Sequence, residues 1–267
     1  MNQRLCVFAC FAMAGLPGMA QHVTILPDHY KCYNFPTLQP FTTTISLRDQ
    51  FDIALDRTEQ IGDLRPFRLC NPVEKTIRRS KTPISRSDLH YTMFLIPPEE
   101  IVARDVVVFN QFGRQELHTR DAKVLMAPTG KTKCPIGGCS PTTAPPLVPD
   151  KANHYKCYSA AGKRILASAR LEDQFHTEFV RVLEPILFCN PVEKVDAAGN
   201  KFEIVNAATH LTCYTITRVP ILRDVIISNQ FGSVTTRVAN ADILCAPSQK
   251  VKWAPVPGLT AAGAELE

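Results

Sequence analysis

The sequence predicts an all-β protein made of two tandem, similar domains. Each would be a β-sandwich or barrel built from two homologous units of roughly 45 residues, related by pseudo-twofold symmetry. Three observations predict this. One phrase recurs four times along the chain. Short β-branched runs end in turn signals. No window keeps a helical apolar period over three turns.

Residues 1–20 read as a signal peptide. Arg4 supplies the positive start, Leu5 to Leu16 a short apolar run, and Gly18-Met19-Ala20 a small-x-small cleavage site before Gln21. The run is too short to span a bilayer, and no later stretch approaches the ~20 apolar residues of a transmembrane helix. Cys10 could mark a lipoprotein, but Phe8 is too bulky for the usual approach to a lipidated cysteine. The expectation is a secreted, periplasmic or cell-surface protein cleaved after Ala20. Without the leader, 29 basic residues face 25 acidic ones, a mild +4 that gives no reason to expect nucleic acid as a partner.

The repeated phrase is His-x-x-Cys-Tyr, then Asp/Asn-Gln-Phe, then Cys-x-Pro-x-x-Lys. Its copies span 29–75, 90–131, 154–194 and 210–250. Alternate copies agree best. His29-Tyr30-Lys31-Cys32-Tyr33 returns as His154-Tyr155-Lys156-Cys157-Tyr158, Cys70-Asn71-Pro72-Val73-Glu74-Lys75 as Cys189-Asn190-Pro191-Val192-Glu193-Lys194, and Asn110-Gln111-Phe112-Gly113 as Asn229-Gln230-Phe231-Gly232. A two-copy block therefore duplicated, giving expected domains at 29–131 and 154–250. Residues 132–153, rich in Pro, Thr and Gly, read as a linker, and 251–267 as a tail.

Within a copy the signals are for strands. Asp105 to Phe109 and Val225 to Ile227 are β-branched runs, with Gly113 and Gly232 following as turns. Ile45 and Leu47, Val106 and Val108, Ala169 and Leu171, and Val225 and Ile227 alternate toward one face, which Phe51, Phe112, Phe175 and Phe231 continue. About three strands per copy leave edges and an apolar face that a partner copy must cover.

The cysteines are legible from an absence. Copies one, three and four each carry two, whereas copy two has Met93 and Met126 at both positions. Loss of a single partner would leave a free thiol in an oxidising space, so partners tend to disappear together. The expected bridges are Cys32–Cys70, Cys157–Cys189 and Cys213–Cys245. Each closes a loop of about 32 to 38 residues, worth roughly 3 to 4 kcal/mol in the chain-entropy model. Cys134 and Cys139 are left for a local bridge in the linker. Their spacing is wrong for a thioredoxin-like motif, and no further zinc ligands stand nearby.

His29, His90, His154 and His210 open the copies at equivalent places, which favours structure over catalysis. Asp49 and Asp173 become Asn110 and Asn229 in the other copies. Hydrogen-bond acceptance is what all four share, so turn building explains them better than acid–base work. Nucleophile elbows, zinc helices, phosphate loops and dinucleotide fingerprints are missing. One unrepeated feature stands out. Arg78, Arg79, Lys81 and Arg86 crowd the stretch after copy one, where an anionic glycan, lipid headgroup or acidic protein surface could bind.

Together these phrases resemble an uncharacterised repeat family of secreted bacterial proteins, a domain of unknown function. The resemblance covers both blocks and implies an exported bacterial protein, but it lends no catalytic residue. The cysteine-free second copy is the departure from the pattern. The leading expectation is a non-enzymatic exported module for binding or structure, with no cofactor. A secreted hydrolase with a dispersed active site is the alternative, and a metal or redox protein the second alternative.

Overall fold

A computed structural model describes residues 27–36, 38–97 and 103–256. The expected signal peptide and residues 257–267 of the expected tail lie outside the described residues. Every copy has the same plan: an opening strand, a second strand, a turn, and a long closing strand. The opening strands are β1 (His29–Asn34), β5 (His90–Leu95), β8 (His154–Gly162) and β12 (His210–Val219). The second strands are β2 (Phe41–Asp49), β6 (Arg104–Asn110), β9 (Ala167–Glu172) and β13 (Arg223–Asn229). The closing strands are β3 (Glu59–Ile77), β7 (Gly113–Lys133) and β10 (Thr177–Val195), with β14 (Gly232–Val238) and β15 (Ala241–Pro255) sharing the role in copy four. Short strands β4 (Ser80–Thr82) and β11 (Lys201–Phe202) fold back on β3 and β10. One helical turn, α1 (Gln50–Ile53), follows β2.

Opening and closing strands alternate around a closed antiparallel ring: β1, β3, β5, β7, β8, β10, β12, β15 and back to β1. Each second strand makes a hairpin with its own closing strand and then pairs with the far end of the closing strand two copies away. Thus β2 joins β3 and β10, and β9 joins β10 and β3. Likewise β6 joins β7 and β15, and β13 joins β14 and β7.

This pairing does not confirm the expected division into two bodies. Strand ladders run from 29–131 into 154–250 at several points, because the open edges of a copy are closed by the opposite copy. It also moves two boundaries. Thr132 and Lys133 of the expected linker end β7, and residues 251–255 of the expected tail extend β15 along β6.

One core cluster draws residues from all eight ring strands, which places it inside the ring. Tyr30, Tyr91, Tyr155 and Leu211 lie there with Cys32, Cys70, Cys157, Cys189, Cys213 and Cys245 and with Met93 and Met126. The bridges are Cys32–Cys70, Cys157–Cys189 and Cys213–Cys245, each within a copy, and Cys134–Cys139 closes a small loop. Met93 stands directly opposite Met126 in the ladder, as Cys32 stands opposite Cys70. Two further clusters lie beneath the second strands. The alternating positions Ile45, Leu47, Val106, Val108, Ala169, Leu171, Val225 and Ile227 are all buried in them. No helix of the described residues is long and apolar enough to cross a membrane.

Candidate functional site

The repeated polar residues work mainly between copies. In every turn the Asp or Asn side chain accepts the backbone N–H two residues on: Phe51, Phe112, Phe175 and Phe231 donate to Asp49, Asn110, Asp173 and Asn229. This is the local hydrogen bonding that makes such residues turn formers. The free side of each group faces the opposite copy. Asp49 accepts from Tyr158 Oη at 2.9 Å and Asn190 Nδ2 at 2.8 Å. Asp173 accepts from Tyr33 Oη at 2.8 Å and Asn71 Nδ2 at 3.0 Å. In copy two the polarity is reversed, and Asn110 Nδ2 donates to Tyr214 Oη at 2.8 Å and Ser248 Oγ at 3.0 Å.

Charge follows the same alternation. Lys156 is fully buried, with Nζ 2.9 Å from Asp52 and 2.6 Å from Glu59 of copy one. Lys31 reaches Asp173 at 3.5 Å and Glu178 at 2.7 Å in copy three. Copies two and four carry Thr92 and Thr212 instead, bonded to Thr129 and Ser248. Copies one and three are alike because they clamp each other with charge, whereas two and four do so with neutral groups.

A second contact runs around the ring. The lysine closing each copy lies over the turn phenylalanine of the next: Lys75 on Phe112 at 5.6 Å, Lys131 on Phe175 at 4.3 Å, Lys194 on Phe231 at 5.5 Å, and Lys250 on Phe51 at 4.8 Å. Burial pushes Lys75, Lys194 and Lys250 down to about 8 and Lys131 to about 7. Beside these ammonium groups stand the histidines. Burial, helped by the adjacent lysine, lowers His29, His154 and His210 to about 3 and His90 to about 2. His29 Nε2 lies 2.7 Å from Gln111 Oε1 and His154 Nε2 lies 2.8 Å from Gln230 Oε1, so both bond to a side chain of the next copy's turn.

These histidines set the response to acid. The unfolded chain takes up their protons near pH 6.5, while the folded protein refuses them until about pH 3. The unfolded state binds more protons over that window, so stability falls on acidification, by about 1.4 kcal/mol per pH unit per histidine. Asp49 and Glu59, pushed up by burial, offset part of this. Denaturant melts from pH 7 to pH 4 should show stability dropping steadily, with a shallower slope in His154→Gln. A flat profile would contradict the buried neutral imidazoles.

Copy one departs from the pattern in a cleft of about 900 Å³, walled by Pro27, His29, Thr82, Phe109, Gln111 and Gln249 among others. Phe109 is 55% exposed there. Asp28, His29 and Ser85, the residue types of a hydrolytic triad, all border it. Their bonds go elsewhere. Ser85 Oγ donates to Asp28 at 2.8 Å, and the Ser85 and Arg86 N–H groups donate to the same carboxylate, while His29 is held by Gln111. A nucleophile must instead donate to its base, which is in turn oriented by the acid. Among the described residues no three His, Cys, Asp or Glu side chains stand close enough to hold a metal ion.

The four cations of copy one are divided. Lys81 pairs with Glu74 at 2.9 Å, and Arg86 with Asp88 at 2.7 Å. Arg78 and Arg79 are exposed at the tip of the β3–β4 hairpin, where Arg78 takes a left-handed φ of 54°. Neither makes an ion pair or side-chain hydrogen bond among the described residues.

A repeat of unknown function, DUF7450, matches residues 89–247, more than half of the chain. The chain belongs to that family. The DUF7450 match begins just before His90 and covers copies two and three and copy four as far as Pro247, so copy one lies outside it. No curated protein and no solved structure matches the chain.

The clamp residues Lys31, Lys156, Tyr33 and Tyr158 went unnoticed as partners of the turns. A signal for them was present: Lys occurs in the opening phrase only in those copies whose turn carries Asp.

Proposed function

We propose that this DUF7450 protein is a non-enzymatic, exported module. Its four copies form a rigid frame, and its binding surface is the part of copy one that departs from the shared pattern. The supporting observation is the use of the repeated polar residues. Turn carboxylates and amides, buried lysines and two of the opening histidines, His29 and His154, make contacts between copies, while the cleft and the Arg78–Arg79 hairpin tip depart from that pattern. Four disulfides fit an oxidising compartment outside the cytoplasm.

Within this reading the hairpin tip meets an anionic partner. Arg78 and Arg79 are the candidates, and Lys81 and Arg86 support the loop through their internal pairs. The mature protein applied to immobilised heparin, a sulfated glycan, should elute at lower salt after Arg78→Ser and Arg79→Ser. Each change should weaken binding by up to about fivefold, the scale of one exposed ion pair. Unchanged elution would remove the anionic partner. Saturable hydrolysis that is lost in Ser85→Ala would restore the hydrolase reading.

A further inference from the structure

The copy-one cleft has a filled counterpart. Thr82 is the cross-strand partner of Lys75, and Phe202 is the cross-strand partner of Lys194. Thr82 precedes His90 by the same number of residues as Phe202 precedes His210. The surroundings also correspond, since Asp28 accepts the N–H groups of Ser85 and Arg86 just as Asn153 Oδ1 accepts those of Val205 and Asn206. The two positions are therefore structurally equivalent, and they differ by an aromatic ring.

In copy three that ring is used. Phe202 meets His154 edge to face, with centroids 5.3 Å apart and planes at 65°. Lys194 Nζ lies 3.6 Å from its centroid, in addition to its contact with Phe231. Copy one keeps the histidine and the lysine but has no ring between them. Among the described residues Lys75 has a single aromatic contact, Phe112 at 5.6 Å. Thr82 and His29 both line the cleft, together with the half-exposed Phe109.

We propose that this cleft binds an uncharged aromatic ring supplied by a ligand, which takes the place Phe202 fills in copy three. The ring would stand edge-on to His29 and beneath the Lys75 ammonium, with Phe109 as its outer wall. Phe202 thus serves as an internal copy of the ligand's recognition group. A monocyclic ring fits this template, and the neutral amides Gln111 and Gln249 suit uncharged polar groups attached to it. The ligand class rests on the binding-module reading above. It does not depend on the arginines, so heparin retention and ring binding can fail separately.

The test is saturation-transfer NMR on the full mature chain with N-acetylphenylalaninamide as probe and N-acetylalaninamide as control. The wild type should give saturable transfer to the ring protons and none to the control. Thr82→Phe, which installs the missing ring, should weaken binding at least tenfold without lowering the melting temperature. Phe202→Ala should open the copy-three position and raise the number of sites. The proposal fails if the wild type shows no saturable ring signal, if Thr82→Phe binds equally well, or if the alanine control binds alike. Ring binding that requires deletion of residues 21–26 would also overturn it, by making that segment the cleft's own occupant.

Discussion

Replacing Lys156 with methionine is expected to destabilise the protein by roughly 3–5 kcal/mol, among the largest effects available to one substitution here. Lys156 is fully buried and neutralises Asp52 and Glu59 across the interface between copies three and one. Methionine matches its length but not its charge. Arg57, at 3.1 Å from Asp52 and 3.0 Å from Glu59, would then be the nearest cation to both. Removing one side of a buried ion pair costs far more than the pair contributes, because the remaining charge stays desolvated. The alternation between copies supplies a control. Copy two has Thr92 at the place of Lys156 and Gln115 at the place of Glu59. Adding Glu59→Gln to Lys156→Met removes one of the two stranded carboxylates and should therefore recover part of the loss in urea melts. A single variant costing less than 1 kcal/mol, or a second change that deepens the loss, would contradict a charge clamp.

The bridges carry the second large effect. Converting Cys157 and Cys189 together to methionine copies the natural state of copy two, so packing changes little while the cross-link disappears. The loss expected is about 3 kcal/mol, the chain-entropy value for a loop of this length. The reverse experiment asks the same question of copy two. Met93 and Met126 face each other in the ladder as the half-cystines do elsewhere. Met93→Cys with Met126→Cys should oxidise spontaneously and raise the urea midpoint by a comparable amount. Mass spectrometry without reduction identifies the new bridge. Free thiols at both positions after folding would show that copy two is not aligned with the other three.

What the sequence made legible was largely local to a copy. The turn residues, the alternating apolar columns and the strand ends follow from chemistry within a few residues of each other. The cysteine pairs became legible because copy two had lost both partners. Ring closure was hidden for the opposite reason. The partner of β2 is the end of β10, well over one hundred residues away, and a strand's pattern does not name its neighbour. The strong likeness of copies one and three suggested duplication into two bodies. The structure gives that likeness a different physical cause, since Asp49 and Asp173 each need the tyrosine and asparagine of the other copy. The cleft was likewise invisible, because a missing ring at Thr82 acquires meaning only once β4 and β11 are seen in register.

Four copies close one interlocked ring, so no pair of neighbouring copies is self-sufficient. Residues 141–267, containing copies three and four, test it as an isolated oxidised fragment examined by sedimentation and by amide NMR. In that fragment β10 lacks β2 and β15 lacks both β1 and β6, which leaves their edges unpaired. No folded monomer is expected: the fragment should be unfolded, or folded only as a dimer in which two fragments complete each other's ring. A monomeric fragment with a dispersed spectrum and a cooperative melt would contradict it.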